Sequence, residues 1–197
     1  MKRHIFGLSI LMFLLAALPV YAGAPHDSVQ TNVNKVLDVL RDPKLKVESA
    51  KAVKKGKLEA IYGHMFDEVE LSMRTMGGNW TKLNPAQQKE FIQLYRQILE
   101  KAYIDKILSY TNEKIVFSKE SMLSNNQAEV QTKVITSSKE IPISYKVILK
   151  GGTWKVYDVV IENVSLVQNY RSQFHSILAK NTPDQLLEIL RKKVKGQ

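Results

Sequence analysis

The sequence contains no cysteine, so neither a disulfide framework nor a cysteine-based metal site or nucleophile is available. Any stability must come from burial of apolar side chains. Histidine is also scarce. Beyond the first 22 residues only His26, His64 and His175 occur, and no two have the spacing of metal ligands. No glycine-rich phosphate loop follows a strand, because Gly77-Gly78 and Gly151-Gly152 both read as turns. No nucleophile elbow or kinase signature appears. Asn163-Val164-Ser165 matches a glycosylation sequon by chance. After residue 22 no apolar run approaches the roughly 20 residues needed to cross a bilayer. Acidic residues are outnumbered, 19 against 29 lysines and arginines, for a net charge of +10.

The N-terminus has the organisation of a secretory signal. Lys2, Arg3 and His4 form a basic head, Ile5 to Leu18 is apolar, and Pro19 precedes Val20-Tyr21-Ala22. Cleavage is expected after Ala22, leaving residues 23–197 as a single domain. An uncleaved inner-membrane anchor is the alternative, and without a following cysteine a lipoprotein anchor is not. A basic exported chain meets anionic head groups, acidic partner surfaces, or nothing in particular.

The mature chain divides into a helical part at about 25–110, a sheet at about 113–162, and C-terminal helices at about 165–195. Val29, Val33, Val36, Leu37 and Leu40 share one helical face ending near Arg41. Asp42-Pro43 restarts the chain. Leu58, Ile61, Met65 and Phe66 return to helical spacing. A short helix with Val69, Met73 and Met76 follows Phe66-Asp67 and ends at Gly77-Gly78. Asn84-Pro85-Ala86-Gln87 combines a cap, a proline at the first position and a capping-box glutamine. It opens a helix reaching about Tyr110, near 27 residues and roughly 40 Å. Phe91, Leu94, Tyr95, Ile98 and Leu99 form part of its wide apolar stripe.

From Lys114 the period becomes two. Four antiparallel strands are expected, with turns at Asn125-Asn126, Ser138-Lys139 and Gly151-Gly152. Centring the last turn on the glycines sets Leu149 opposite Trp154, Val147 opposite Val156, Tyr145 opposite Asp158 and Ile143 opposite Val160. Centring the previous turn on Ser138-Lys139 sets Val134 opposite Ile143, Thr132 opposite Tyr145 and Val130 opposite Val147. One apolar face results, with Asp158 as its only charge. Such an acid could have a raised pKa and act as a general base. It could equally be a structural carboxylate bonded to Tyr145, Arg171 or a backbone N–H. Lys133, Lys146, Lys150 and Lys155 fall on the other face, as a docking patch or as a solvated one. Ser165 with Gln168, and Thr182 with Gln185, start two final helices. Leu186, Leu187 and Leu190 face inward. The residues alone therefore indicate an α+β fold, a curved antiparallel sheet against amphipathic helices, without a catalytic set.

Residues 154–174, WKVYDVVIENVSLVQNYRSQF, add a family likeness. Trp154, Tyr157-Asp158-Val159, Val164-Ser165-Leu166, Asn169-Tyr170-Arg171 and Phe174 stand in an order and spacing that resembles the MlaC-type proteins, also called the toluene-tolerance Ttg family. Phe66-Asp67 and Gly77-x-x-Trp80 resemble further family features. Asn163 stands where the family often has glycine. The resemblance implies a cone-like fold with a hydrophobic cavity for phospholipid acyl chains. It further implies a periplasmic carrier that is not an enzyme. The carrier would shuttle lipid between an outer-membrane lipoprotein–porin complex and an inner-membrane ABC transporter, in the maintenance of lipid asymmetry. No cofactor, metal or nucleic acid is implied. The expected wall comprises Val130, Val134, Tyr145, Val147, Val156 and Val160 from the sheet, with Phe66, Met73, Phe91, Leu94, Val164, Leu166 and Tyr170 from the helices. The alternatives are a small exported enzyme or ligand-binding module using Asp158 as base, and an adaptor using the lysine face.

Overall fold

The structure is a computed structural model that describes residues 23–109 and 113–196. The expected signal, residues 1–22, lies outside them, as does Tyr110 at the expected end of the long helix. Among the described residues, six α-helices pack with one five-stranded sheet. The order is α1 (Ala24–Arg41), α2 (Lys51–Met65), α3 (Glu68–Met76), α4 (Pro85–Leu108), β1 (Lys114–Ser124), β2 (Gln127–Ile135), β3 (Glu140–Lys150), β4 (Thr153–Ile161), β5 (Val164–Ser165), α5 (Leu166–Leu178) and α6 (Pro183–Lys195). Among the described residues no helix is long and apolar enough to cross a membrane.

The helix starts follow their local chemistry. Asn84 and Gln87 form a reciprocal capping box on α4, and Thr182 and Gln185 form another on α6. Asp67 caps α3 by accepting the Glu70 N–H at 2.9 Å. Ser165 accepts the Gln168 N–H at 3.1 Å and donates its own proton to Asp158 Oδ2 at 2.6 Å.

All strand pairs are antiparallel and follow chain order. The fifth strand was not anticipated. Val164-Ser165 folds back on Val160-Ile161 through a two-residue turn at Glu162-Asn163. Both turn residues are left-handed, with φ of 49° and 66°. Asparagine tolerates that conformation, so the turn forms without the family's glycine. Gly151 and Gly152 make the other tight turn with φ of 55° and 77°.

Two registers differ from expectation. Between β2 and β3 the loop is four residues, Thr136 to Lys139, rather than two. Val130 therefore faces Tyr145, Thr132 faces Ile143 and Val134 faces Ile141. The slip is two residues, so every side chain keeps its face. Between β3 and β4 the pairs Leu149–Trp154 and Val147–Val156 occur as expected, but Lys146 then faces Asp158. Tyr157 is the extra residue of a β-bulge. Beyond it the alternation inverts. Tyr145 faces Val159 and Ile143 faces Ile161. Asp158 and Val160 thus lie on the opposite face from the one the sequence indicated.

The solid core gathers at one end. Phe91, Tyr95, Tyr170 and Phe174 are buried ring against ring, with centroids 5.2–5.7 Å apart. Leu186, Leu187 and Leu190 of α6 pack beside α4. Ala128, Val130, Val147 and Val156 close this region from the sheet.

Candidate functional site

At the other end the layers part. The C-terminal half of α4, with α1 and α2, stands off the sheet and leaves a cavity of about 610 Å³. Its size falls within the usual range for a small-molecule site. Val33, Val36, Leu37 and Leu40 line it from α1, and Leu58, Ile61, Tyr62 and Met65 from α2. Leu99, Tyr103, Ile104 and Ile107 line it from α4. The sheet contributes Ile115, Val134, Ile141, Ile143, Tyr145, Val159 and Ile161. Phe66 and Leu166 complete the lining.

Charged groups also border the space. Lys55 pairs with Glu100 at 3.0 Å and Glu59 at 3.6 Å, joining α2 to α4 across the gap. Arg96 reaches Glu68 at 3.3 Å and lies over the Tyr62 ring at 5.3 Å. Tyr62 stacks on Phe66 with centroids 4.4 Å apart. Burial raises the pKa of Tyr62 above the ordinary phenol value, and it pushes Tyr145 up to about 12. Tyr145 is half-buried where it borders the hollow. Among the described residues no cluster of histidine, aspartate and glutamate could hold a metal ion. The site can enclose apolar matter.

Of the thirteen expected wall residues, the structure brings Phe66, Val134, Tyr145 and Leu166 to the cavity. Phe91, Leu94, Val130, Val147, Val156 and Tyr170 are instead core, each at most 8 % exposed. They belong to the packed end, where side chains interlock. Met73 and Val164 are exposed at 37 % and 54 %. Met73 sits on the outer side of α3, and Val164 is in β5 before the helix starts. Val160 is turned away by the bulge. The same inversion supplies Val159 and Ile161, which the alternation had excluded. Residues 61, 62, 103, 104 and 141 were also missed as lining, although the helical stripes containing Ile61 and Leu40 had been recognised.

Asp158 is not in the cavity. It is 3 % exposed, accepting the Ser165 hydroxyl at 2.6 Å and the buried Val167 N–H at 3.1 Å, with Lys146 at 3.9 Å. The carboxylate holds the start of α5, where the helix dipole favours a negative charge. Of the partners weighed, the backbone N–H is the one found. Tyr145 lies on the other face, and Arg171 donates to the Arg74 carbonyl.

The lysine face is likewise mostly committed. Lys150 bridges Asp67 at 2.8 Å and Glu70 at 2.7 Å, and Lys133 pairs with Glu140 at 2.8 Å. Glu70 also binds Arg74 at 2.7 Å, and the Arg74 guanidinium lies 3.9 Å over the Tyr157 ring. Burial alone would raise the pKa values of Asp67 and Glu70. Lys150 together with the Glu70 N–H and Lys155 at Asp67, and together with Arg74 at Glu70, outweighs it and holds both below the usual range.

Comparison with known proteins agrees with this geometry. The chain is 27% identical over 180 residues to toluene tolerance protein ttg2D of Pseudomonas putida, covering 90% of this chain and 84% of that one. It is 29% identical over 116 residues to the intermembrane phospholipid transport system binding protein MlaC of Haemophilus influenzae, covering 56% and 54%. Its fold matches a phospholipid-binding protein from Ralstonia solanacearum, solved in complex with a phospholipid. The TM-score is 0.79 at 21% identity, over 86% of this chain and 96% of that one. The MlaC protein family model matches residues 30–192, and the chain belongs to that family.

Proposed function

We propose that this protein is a carrier that holds phospholipid acyl chains in the cavity between α1, α2, α4 and the sheet. The apolar cavity is the observation that carries the reading. Each methylene removed from water contributes about 0.8 kcal/mol, so one sixteen-carbon chain gains about 13 kcal/mol on entering a dry lining. No catalytic residue is needed for that. The head group stays near the charged edge formed by Lys55, Glu59 and Glu100, so discrimination between head groups is modest. The described relatives, named for phospholipid transport and toluene tolerance, support the same reading.

The finer statement follows from the family resemblance. The chain is exported, cleaved after Ala22, and works in the periplasm between an outer-membrane lipoprotein–porin complex and an inner-membrane ABC transporter. Direction comes from those partners, since a cavity alone has none.

The test is mass spectrometry of protein purified without a delipidation step. Co-purifying phospholipid is expected, at reduced occupancy when Ile143 or Val159 is replaced by tryptophan. Protein that emerges folded and empty, and that takes up no lipid from vesicles, would sink the proposal.

A further inference from the structure

A shoulder of the molecule, residues 43–57, lies mostly outside core and cavity, with only Leu45 buried and Lys55 at the cavity's border. It contains six lysines, at 44, 46, 51, 54, 55 and 57, against one acid, Glu48. Two 3-10 turns, Pro43–Leu45 and Glu48–Ala50, lead into the start of α2. Val47 and Val53 are each 55 % exposed, although neither is polar. Between this shoulder and α4 lies a second, smaller groove of about 360 Å³, lined in part by Lys46, Lys51, Lys54 and Lys101. Lys55, Glu100 and Ile104 border both the groove and the cavity, so the basic shoulder stands directly beside the cavity.

The lysines there are distinguished by their density beside two exposed valines. Lys51 pairs with Glu48 and Lys55 with Glu59 and Glu100, but no ion pair among the described residues engages Lys44, Lys46, Lys54 or Lys57. On α6, Arg191 is held by Glu90 and Lys192 by Glu188, while Lys195 has no ion pair among the described residues and no exposed valine beside it. Cations without intramolecular partners around two exposed valines are complementary to a surface that is negative outside and apolar a few ångströms beneath.

We propose that residues 43–57 are a docking surface for an anionic phospholipid bilayer, with Val47 and Val53 entering the head-group region and the unpaired lysines meeting lipid phosphates. The shoulder then lands the cavity's α2–α4 side against the membrane, which shortens the path of an acyl chain through water. This assignment rests on the carrier reading for its purpose, but not for its physics.

The experiment is vesicle flotation with the purified protein. Vesicles of phosphatidylglycerol and phosphatidylethanolamine are compared with phosphatidylcholine alone. Flotation is expected with the anionic vesicles only, and it falls as salt rises from about 0.1 M to about 1 M, where the screening length drops to about 3 Å. Each lysine near such a surface changes binding by a factor of about five. Lys46→Glu with Lys54→Glu therefore weakens it at least tenfold, and Val47→Asp with Val53→Asp does so without removing a cation. Lys180→Glu with Lys195→Glu makes the same change in net charge elsewhere and leaves flotation intact. No flotation with anionic vesicles overturns the proposal and turns attention to an acidic protein surface. Equal loss from both lysine pairs also overturns it, because net charge would then suffice. The lipid content of each variant is measured in parallel. Normal cargo with absent flotation removes the docking surface alone, whereas absent cargo with normal flotation removes the carrier reading alone.

Discussion

Glu120, on edge strand β1, accepts the His26 backbone N–H at 2.7 Å and fastens the first turn of α1 to the sheet. Its other oxygen accepts the Gly23 N–H at 3.3 Å. A carboxylate from a distant strand thus replaces the missing local cap, since Gly23 has no side chain with which to satisfy the free N–H groups. Glu120→Ala is expected to cost about 1 kcal/mol, within the range of lost helix caps. Thermal unfolding checks it. Glu120→Gln, which keeps an acceptor, should lose less. Cleavage after Ala22 would convert the Gly23 nitrogen into an ammonium at the same carboxylate, so the processed chain should show the larger Glu120→Ala effect.

The ion network at the sheet's far end makes a pH prediction. Asp67 and Glu70 are held ionised by Lys150 and, at Glu70, by Arg74, with folded pKa values below their ordinary 3.8 and 4.5. A depressed carboxylate stabilises the fold above its unfolded pKa, and that stability is lost as pH falls through the folded value. Melting temperature should therefore be flat near neutrality and fall below about pH 4. Lys150→Met should weaken the neutral-pH fold and flatten the acid limb. An unchanged acid limb in that variant would show the network to be irrelevant to stability.

Core and cavity can be separated by substitution. Phe91 is fully buried among three other rings, and Phe91→Ala should cost about 3–5 kcal/mol. Ile143 faces the hollow, where the lining is already incompletely packed. Ile143→Ala should cost less than the usual 2–5 kcal/mol for a packed isoleucine. Ile143→Trp, which fills space, should leave the melting temperature nearly unchanged and lower the bound lipid. Denaturant unfolding and lipid extraction on the same samples give both readings. Parallel loss of stability and cargo from Phe91→Ala and Ile143→Trp would merge the two regions into one.

Which features were legible in the chain follows from how local their causes are. The caps at Asn84 and Thr182 and the turn at Gly151-Gly152 depend on neighbouring residues, and each is found where local chemistry placed it. The loop between β2 and β3 was misjudged by two residues, but a period of two absorbs an even slip, so the apolar face survived. The bulge at Tyr157 was not visible, because nothing in Val156-Tyr157-Asp158 marks an extra residue, and one residue inverts a face. Nor could one stripe on α4 disclose its division. Phe91 and Tyr95 are core while Ile107 borders a void, yet all are apolar at helical spacing. The difference lies in what stands opposite: α5 and α6 at one end, a gap at the other.

Asp158 offers the sharpest separation of the two chemical readings of this chain. Its oxygens hold Ser165 and the Val167 N–H, and that amide is buried. Asp158→Ala leaves the amide without an acceptor, which costs about 1–3 kcal/mol. For a domain of this size the melting temperature then falls by roughly 2–4 °C per kcal/mol. Asp158→Asn keeps one acceptor oxygen for Val167 and should recover part of the loss. Neither change touches the lining, so the lipid recovered per folded molecule should match the parent protein. A general base behaves in the opposite way: the asparagine variant would keep its melting temperature and lose a turnover that the parent possesses. Measuring stability, cargo and hydrolysis of phospholipid esters on the three proteins together decides the point. Intact stability with abolished hydrolysis in Asp158→Asn would return the residue to catalysis and the cavity to a substrate pocket.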